Sequence, residues 1–519
     1  VAIARAGPRQ RIGLAVLALP TALLGLDVTL LYLALPALAA DLQPSSTQAL
    51  WIMDIYGFMI AGCLIPMGTL GDRIGRRRLL MIGAAAFMAA SVLAAFSVSA
   101  EMLIAARAAL GVAGATLMPS TLALISNMFV DARQRALAIG VWATMFALGM
   151  AAGPLVGGAL LERFWWGSAF LVAVPVIGLL LAAAPRLLPE YRTASHGPLD
   201  LSSVVLLLVS ILAAIYGVKE VARSGPAAGS VLALAVGAVF AILFVRRQGR
   251  LEHPLFDMGL FASRTFSAAL AILLVGLIAV AGIMLLVTQY LQLVVGLAPL
   301  AAGVWMGPPA LAMLAAGIAA PLLARRVRPG FVVAGAMVLS AVGYLLLARL
   351  DNSPSGVVVA AAGFSLAYLG LGTIAALGTD LVVGAAPASR AGAASAMSET
   401  VQELGVAVGV AVLGSLATAV YRGEIRQRMP SDLPQELSSA VADGLWAATE
   451  LADRLPDGLL EQARAAFTLG FNVTAMVGAV AALLLAVLAA VSLRHVGVIG
   501  TPDDAPAGAA DACARGTCG

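Results

Sequence analysis

The chain has 519 residues, 61% of them hydrophobic and only 11% charged, with a mean hydropathy of +0.99. Soluble globular proteins carry about 25% charged residues, so this composition excludes a soluble domain and places most of the chain in lipid. The formal charge is +4, from 31 basic and 27 acidic residues. That balance offers no footing for a nucleic-acid partner, and the placement of the charges says more than their sum.

Lys219 is the single lysine, and every other base is arginine. With the abundance of alanine, this points to GC-rich coding and a bacterial source. Cys63 sits in an apolar run, while Cys513 and Cys518 lie in a polar tail and form no framework. The three histidines, His196, His253 and His495, fall outside the apolar runs, and no His-x-x-x-His spacing, nucleophile elbow or Walker loop occurs. The sequence therefore reads as a carrier and not an enzyme or ATP-driven pump, with no cofactor or metal expected. The first apolar segment is of full spanning length and leads into further spans, so no cleavable signal peptide is expected.

A bilayer core about 30 Å thick takes about 20 apolar helical residues to cross. On that measure fourteen spans are expected, near 13–38, 48–70, 79–98, 102–126, 136–160, 167–187, 201–220, 229–246, 266–290, 299–323, 331–350, 356–381, 391–419 and 467–493. The segments are apolar throughout, without the alternation that a membrane barrel requires, so the fold class is all-α integral membrane.

Arginine placement gives orientation. Arg5, Arg9, Arg11, Arg73, Arg76, Arg77, Arg78, Arg133, Arg135, Arg246, Arg247, Arg250, Arg264, Arg325, Arg326 and Arg328 fall on one side, and Arg163, Lys219, Arg223 and Arg349 on the other. Both termini are then expected in the cytoplasm and the chain in the inner membrane. Residues 1–12 read as a cytoplasmic tail. Residues 247–264 read as a helix lying along the inner surface. Residues 421–466 read as a long polar outer loop with helical pieces, and 495–519 as a disordered cytoplasmic tail.

Charges inside spans cost about 2.5–3.5 kcal/mol each on insertion scales and mark functional candidates. They are Asp27 in the first span, Asp54 in the second, Arg107 in the fourth, and Glu399 and Glu403 in the thirteenth. Asp27, Asp54 and Arg107 fall at similar depths, and Asp27–Arg107 is the preferred ion pair. Glu399 and Glu403 are spaced i,i+4 and share a helix face, so at least one of them is expected to carry a proton near neutral pH. Four acids against one arginine favour a cationic cargo exchanged for protons. Tyr32, Met53, Tyr56 and Trp142 are candidates for lining its cavity.

Four stretches extend the reading. Gly68–Arg78, GTLGDRIGRRR, resembles the signature loop between the second and third helices of the major facilitator superfamily, with Gly68, Gly71, Asp72, Arg73, Gly75 and Arg76 as its conformational residues. In it, Asp72 is expected to cap a helix start. Ala106–Ala115, ARAALGVAGA, resembles the fourth-helix motif, whose arginine is here Arg107. Ala147–Gly158, ALGMAAGPLVGG, resembles the fifth-helix antiporter motif, with Gly153, Pro154 and Gly157 as its packing and bending residues. Leu26–Pro36, LDVTLLYLALP, resembles the first-helix motif of the fourteen-span drug/proton antiporters.

Asp54 and the segment SETVQELGVAVGVAVLGSL are similar to the quaternary-ammonium and multidrug exporters of that group, with Ser398 standing where some relatives have a further acid. The resemblance implies two six-helix bundles, 13–187 and 266–494, with two extra helices and the inner-surface segment between them in 188–265. It also implies a monomer in lipid that exports lipophilic cations, such as quaternary ammonium compounds, dyes and fluoroquinolone-type antibiotics, driven by the proton-motive force. Asp27, Asp54, Glu399, Glu403 and Arg107 are its expected coupling and cation sites. A carrier of neutral or anionic natural products and a non-transporting drug sensor are the alternatives.

Overall fold

The computed structural model describes residues 7–129, 132–190, 200–251, 254, 258–353, 355–386, 391–430 and 433–498. Among these, every regular element is helical. Thirteen helices are long and apolar enough to cross a membrane, and a bent pair supplies the fourteenth. In chain order they are α1 (Pro8–Leu42), α2 (Ser46–Ile74), α3 (Arg76–Ala95), α4 (Ala100–Met128), α5 (Ala132–Arg163), α6 (Ser168–Leu187), α7 (Leu201–Ser224) and α8 (Ala228–Gln248). They continue with α9 (Arg264–Val294), α10 (Pro299–Leu323), α11 (Pro329–Leu347), α12 (Gly356–Gly384), α13 (Ala391–Arg428) and α14 (Leu459–Ser492). The chain is a multi-pass membrane protein.

The helices begin where the sequence offers caps. Ser45 accepts from the Gln48 amide at 3.3 Å while Gln48 Oε1 accepts from the Ser45 amide at 2.9 Å, closing a capping box on α2. Ser99 caps α4 and Ser263 caps α9 through the hydroxyl alone, accepting from the Met102 and Phe266 amides. Between α2 and α3 the chain turns at Gly75, whose φ of 111° is open to glycine and not to side chains. A Cβ there would also collide with Glu190. The expected capping role of Asp72 falls on a side chain outside the described residues; α2 runs through Asp72 to Ile74, and at the start of α3 Glu190 accepts from the Arg77 amide, at 3.2 Å.

α1–α6 and α9–α14 pair in the same pattern: first with fifth, second with fourth, third with fourth, third with sixth, and first with sixth. Two bundles of six helices with one internal plan follow from this repetition. They are bridged at the end of the molecule away from the Arg73–Arg78 turn. There Gly303 of α10 lies against the Pro154 carbonyl of α5, Gly158 of α5 lies against Pro299 and Leu300, and Leu50 of α2 lies against Gly414 of α13. Arg422 of α13 donates to Ser46 Oγ at 2.8 Å, and Gln43 donates to Glu450 Oε1 at 3.3 Å. α7 and α8 pack on each other, and α7 lies along both α2 and α13.

Several expected boundaries are corrected. α1 begins at Pro8, inside the expected 1–12 tail. α13 continues to Arg428 and α14 begins at Leu459, so the loop expected over 421–466 shrinks at both ends. The helices extend because the segment between them docks on them: Tyr421 donates to the Val441 carbonyl at 2.7 Å, and Arg422 donates to the Ala442 carbonyl at 3.0 Å and to Asp443 Oδ1 at 2.6 Å. Two short helices, Gln435–Asp443 and Leu445–Glu450, occupy the middle of that segment. In the expected surface helix of 247–264, α8 reaches Gln248 and Met258–Ala262 forms a 3-10 turn; residues 252–253 and 255–257 lie outside the described residues. So do 499–519, whereas His495 within the expected tail meets Thr265 Oγ1 at 2.8 Å.

Candidate functional site

The buried charges gather on α1, α2, α4, α7 and α13. Arg107 of α4 donates from Nη1 to Asp27 Oδ2 of α1 at 3.1 Å and from Nε to the Ile52 carbonyl of α2 at 3.1 Å. Its guanidinium also lies 4.7 Å from the centre of the Tyr56 ring, within the range of a cation–π contact. The Arg107 and Asp27 side chains are 3% and 13% exposed. The expected pair is therefore present, and Gly111 lets α4 lie close to α2, where Arg107 reaches the Ile52 carbonyl. A Cβ at Gly111 would stand 2.5 Å from the Tyr56 carbonyl oxygen.

α5 is shaped to receive α1. Gly149, Gly153 and Gly157 form a stripe one turn apart, and a Cβ at Gly149 would collide with the Ala22 carbonyl, one at Gly153 with Thr29 Oγ1. Pro154 has no amide hydrogen, which leaves the Met150 carbonyl four residues earlier without its helical donor. Thr29 Oγ1 supplies one at 2.9 Å. The helix bends by 41° between Ala138–Met150 and Ala152–Arg163. Of the signature-loop residues, Gly71 gives Arg76 its place, a Cβ there standing 3.0 Å from Arg76 Cδ, while Arg73 is exposed.

Asp54 is expected among the cation sites and Lys219 among the few bases on the outer side; the structure brings the two together. α7 runs on to Ser224, so Lys219 lies within it, fully buried, with Nζ 2.8 Å from Asp54 Oδ2. The same ammonium lies 4.0 Å from the centre of the Trp51 ring. Among the described residues, Lys219 joins Arg107 as a buried base, and Asp27 and Asp54 each lie against one of the chain's own cations.

Glu399 and Glu403 stand apart from these pairs. Both are half-buried on α13, one turn from each other, about 6 Å along the axis. Neither has an ion-pair partner among the described residues. Glu403 stands at the α2–α13 contact: a Cβ at Gly57 of α2 would be 3.5 Å from its carbonyl oxygen and 3.0 Å from Ala407 Cβ. Tyr32, Met53, Tyr56 and Trp142 belong to the apolar core, none more than 8% exposed. Trp142 is fixed by a hydrogen bond from Nε1 to Thr121 Oγ1 at 3.0 Å.

Two related six-helix bundles in a membrane, with buried charges gathered on α1, α2, α4, α7 and α13, are the architecture of a membrane transporter. The comparisons place it. The sequence matches the Major Facilitator Superfamily over residues 17–410, and the chain belongs to that family. It is 44% identical to the multidrug efflux pump LfrA of Mycolicibacterium smegmatis, over 95% of this chain and 98% of that one. It is 36% identical to the methyl viologen resistance protein SmvA of Salmonella typhimurium, over 92% of this chain and 97% of that one. Among solved structures, a bacterial homologue of the human lysosomal transporter Spinster has the same fold, with a TM-score of 0.68 at 18% identity, over 94% of this chain and 98% of that one.

Proposed function

We propose that this chain is a proton-coupled multidrug antiporter that exports lipophilic cations by alternating access. The observation that carries the proposal is the pair Glu399 and Glu403. Asp27 and Asp54 are matched by Arg107 and Lys219, whereas these two glutamates have no ion-pair partner among the described residues. Carboxylates one turn apart and partly withdrawn from water resist joint ionisation. A cation arriving between the bundles favours their charged form and releases a proton, and a proton returning from the other side releases the cation. The similarity to an efflux pump and to a methyl viologen resistance protein supports this direction and cargo class.

In this account the arginine-rich turns face the cytoplasm and both termini are inside. The protein works as a monomer in the bacterial inner membrane, with the proton-motive force as its energy source. Moving one positive charge outward against ~100 mV costs about 2.3 kcal/mol, so exchange for more than one proton draws on both potential and pH. The test is proton release on adding ethidium to the solubilised protein in weak buffer. Wild type releases protons, and Glu399→Gln/Glu403→Gln does not. Equal release from both, or release on adding anionic in place of cationic dyes, overturns the reading.

A further inference from the structure

Trp51, Asp54 and Phe58 share one face of α2, at spacings of three and four residues. Trp51 and Phe58 stand edge to face with ring centres 6.4 Å apart. An aromatic face beside a carboxylate, in surroundings that exclude water, is the chemistry that recognises an organic ammonium. In this structure that place is filled, by the ammonium of Lys219. It lies 2.8 Å from Asp54 Oδ2 and 4.0 Å from the Trp51 ring centre.

The occupant is poorly held for a structural ion pair. A buried pair repays its desolvation when further hydrogen bonds complete both partners. Among the described residues, the Asp54 oxygens and Lys219 Nζ have no hydrogen-bond partner beyond their 2.8 Å contact, although all three atoms are buried. The ammonium is tied to this place by that one contact and the Trp51 ring. Three apolar residues of the α7–α13 seam, Ile215, Ala407 and Ala411, close the place around Phe58, and Trp51 lies half-buried at its rim. Lys219 has somewhere to go. It is five residues from the end of α7 at Ser224, about 7.5 Å along the axis, and its flexible stem can carry the ammonium toward the membrane surface.

We propose that Trp51 and Asp54 form a binding site for an organic monocation, kept filled between transport cycles by Lys219 as a tethered stand-in for the cargo. Cargo enters by displacing that ammonium. Exchange of one cation for another keeps the site neutral throughout, so Asp54 is never left as a bare buried charge. The extra helix pair then contributes a residue to the cargo site. This inference rests on the cationic reading of the cargo given above.

Two measurements with ethidium test it. Because Lys219 is the sole lysine, reductive methylation with 13C-formaldehyde gives one side-chain signal, distinct from that of the terminal amine. In wild-type protein Lys219 is protected without ethidium and becomes methylated at saturating ethidium. Separately, Lys219→Met removes the competitor and tightens ethidium binding about tenfold, the factor corresponding to about 1.4 kcal/mol, and Asp54→Asn added to it abolishes the gain. Unchanged protection of Lys219 in wild type that binds and transports ethidium overturns this inference and leaves the cation reading standing; binding to a folded Lys219→Met that is no tighter than wild type does the same. Wild type that neither binds nor transports ethidium overturns both. The labelling arm needs no variant to fold.

Discussion

The Asp27–Arg107 pair makes a prediction whose size follows from its geometry. At 3.1 Å, an effective dielectric constant of about 20 gives an attraction of about 5 kcal/mol, before the cost of drying both groups. Removing one partner of a buried pair costs about 3–5 kcal/mol because the other is left as an uncompensated charge. Arg107 keeps its bond to the Ile52 carbonyl and its contact with Tyr56 when Asp27 is lost. Asp27→Leu should therefore fall at the lower end, about 3 kcal/mol. Arg107→Met leaves Asp27 as a bare carboxylate and should cost as much or more. The double variant buries no charge and should be more stable than either single one, a coupling of about 2 kcal/mol or more. Thermal unfolding of the four proteins in one detergent gives the ranking, with each kcal/mol worth no more than about 2–4 °C in a chain this long. Additive losses, with the double variant the least stable of the four, would refute the reasoning that the two charges hold each other in place.

Thr29→Val should cost about 1 kcal/mol by leaving the Met150 carbonyl without a donor. Pro154→Ala in the same protein should recover part of that loss, because an amide hydrogen returns at position 154; thermal unfolding of the pair reads the recovery. At the basic end, Asp200 caps α7 and takes two hydrogen bonds from Arg247, at 2.8 and 3.1 Å. Those bonds, ahead of its bonds with Ser203, hold the carboxyl below its ordinary range. A depressed folded value means the stabilisation is complete above the ordinary aspartate pKa of about 3.9 and is lost as pH falls through the folded value. Asp200→Asn should be less stable than wild type at pH 6, and the gap should close below about pH 4; a gap constant with pH would contradict this.

The number of spans was legible because long apolar windows are a property of the chain itself, and the two-bundle plan came from the family resemblance that Gly68–Arg78 and the motifs of the first, fourth and fifth helices carry. Asp27–Arg107 was legible from depth, since an arginine at the level of an acid has few other partners. Lys219 was not. A lysine at the end of an apolar run ordinarily reaches for the membrane surface, and nothing local shows that α2 lies beside it. One signal was present: Gly225, with a φ of 79° and its amide bonded to the Val221 carbonyl, ends the helix at Ser224, four residues beyond the predicted limit. A glycine there places Lys219 more than a turn inside the helix. Glu190 was missed for a similar reason, since its role depends on the fold bringing the end of α6 to the start of α3. The long extensions of α13 and α14 are polar, so apolar windows pass over them, and docking of the segment between them keeps them helical.

In the proposed function, cation export is driven by protons through Glu399 and Glu403. Purified protein in lipid vesicles with an imposed pH gradient, acid inside, tests it most directly, with ethidium outside and a pH-sensitive dye in the lumen. The account predicts ethidium accumulation accompanied by a rise in lumenal pH, both abolished by a protonophore and by Glu399→Gln/Glu403→Gln. Ethidium uptake that is the same with and without the gradient, or that persists in the double variant, would contradict it.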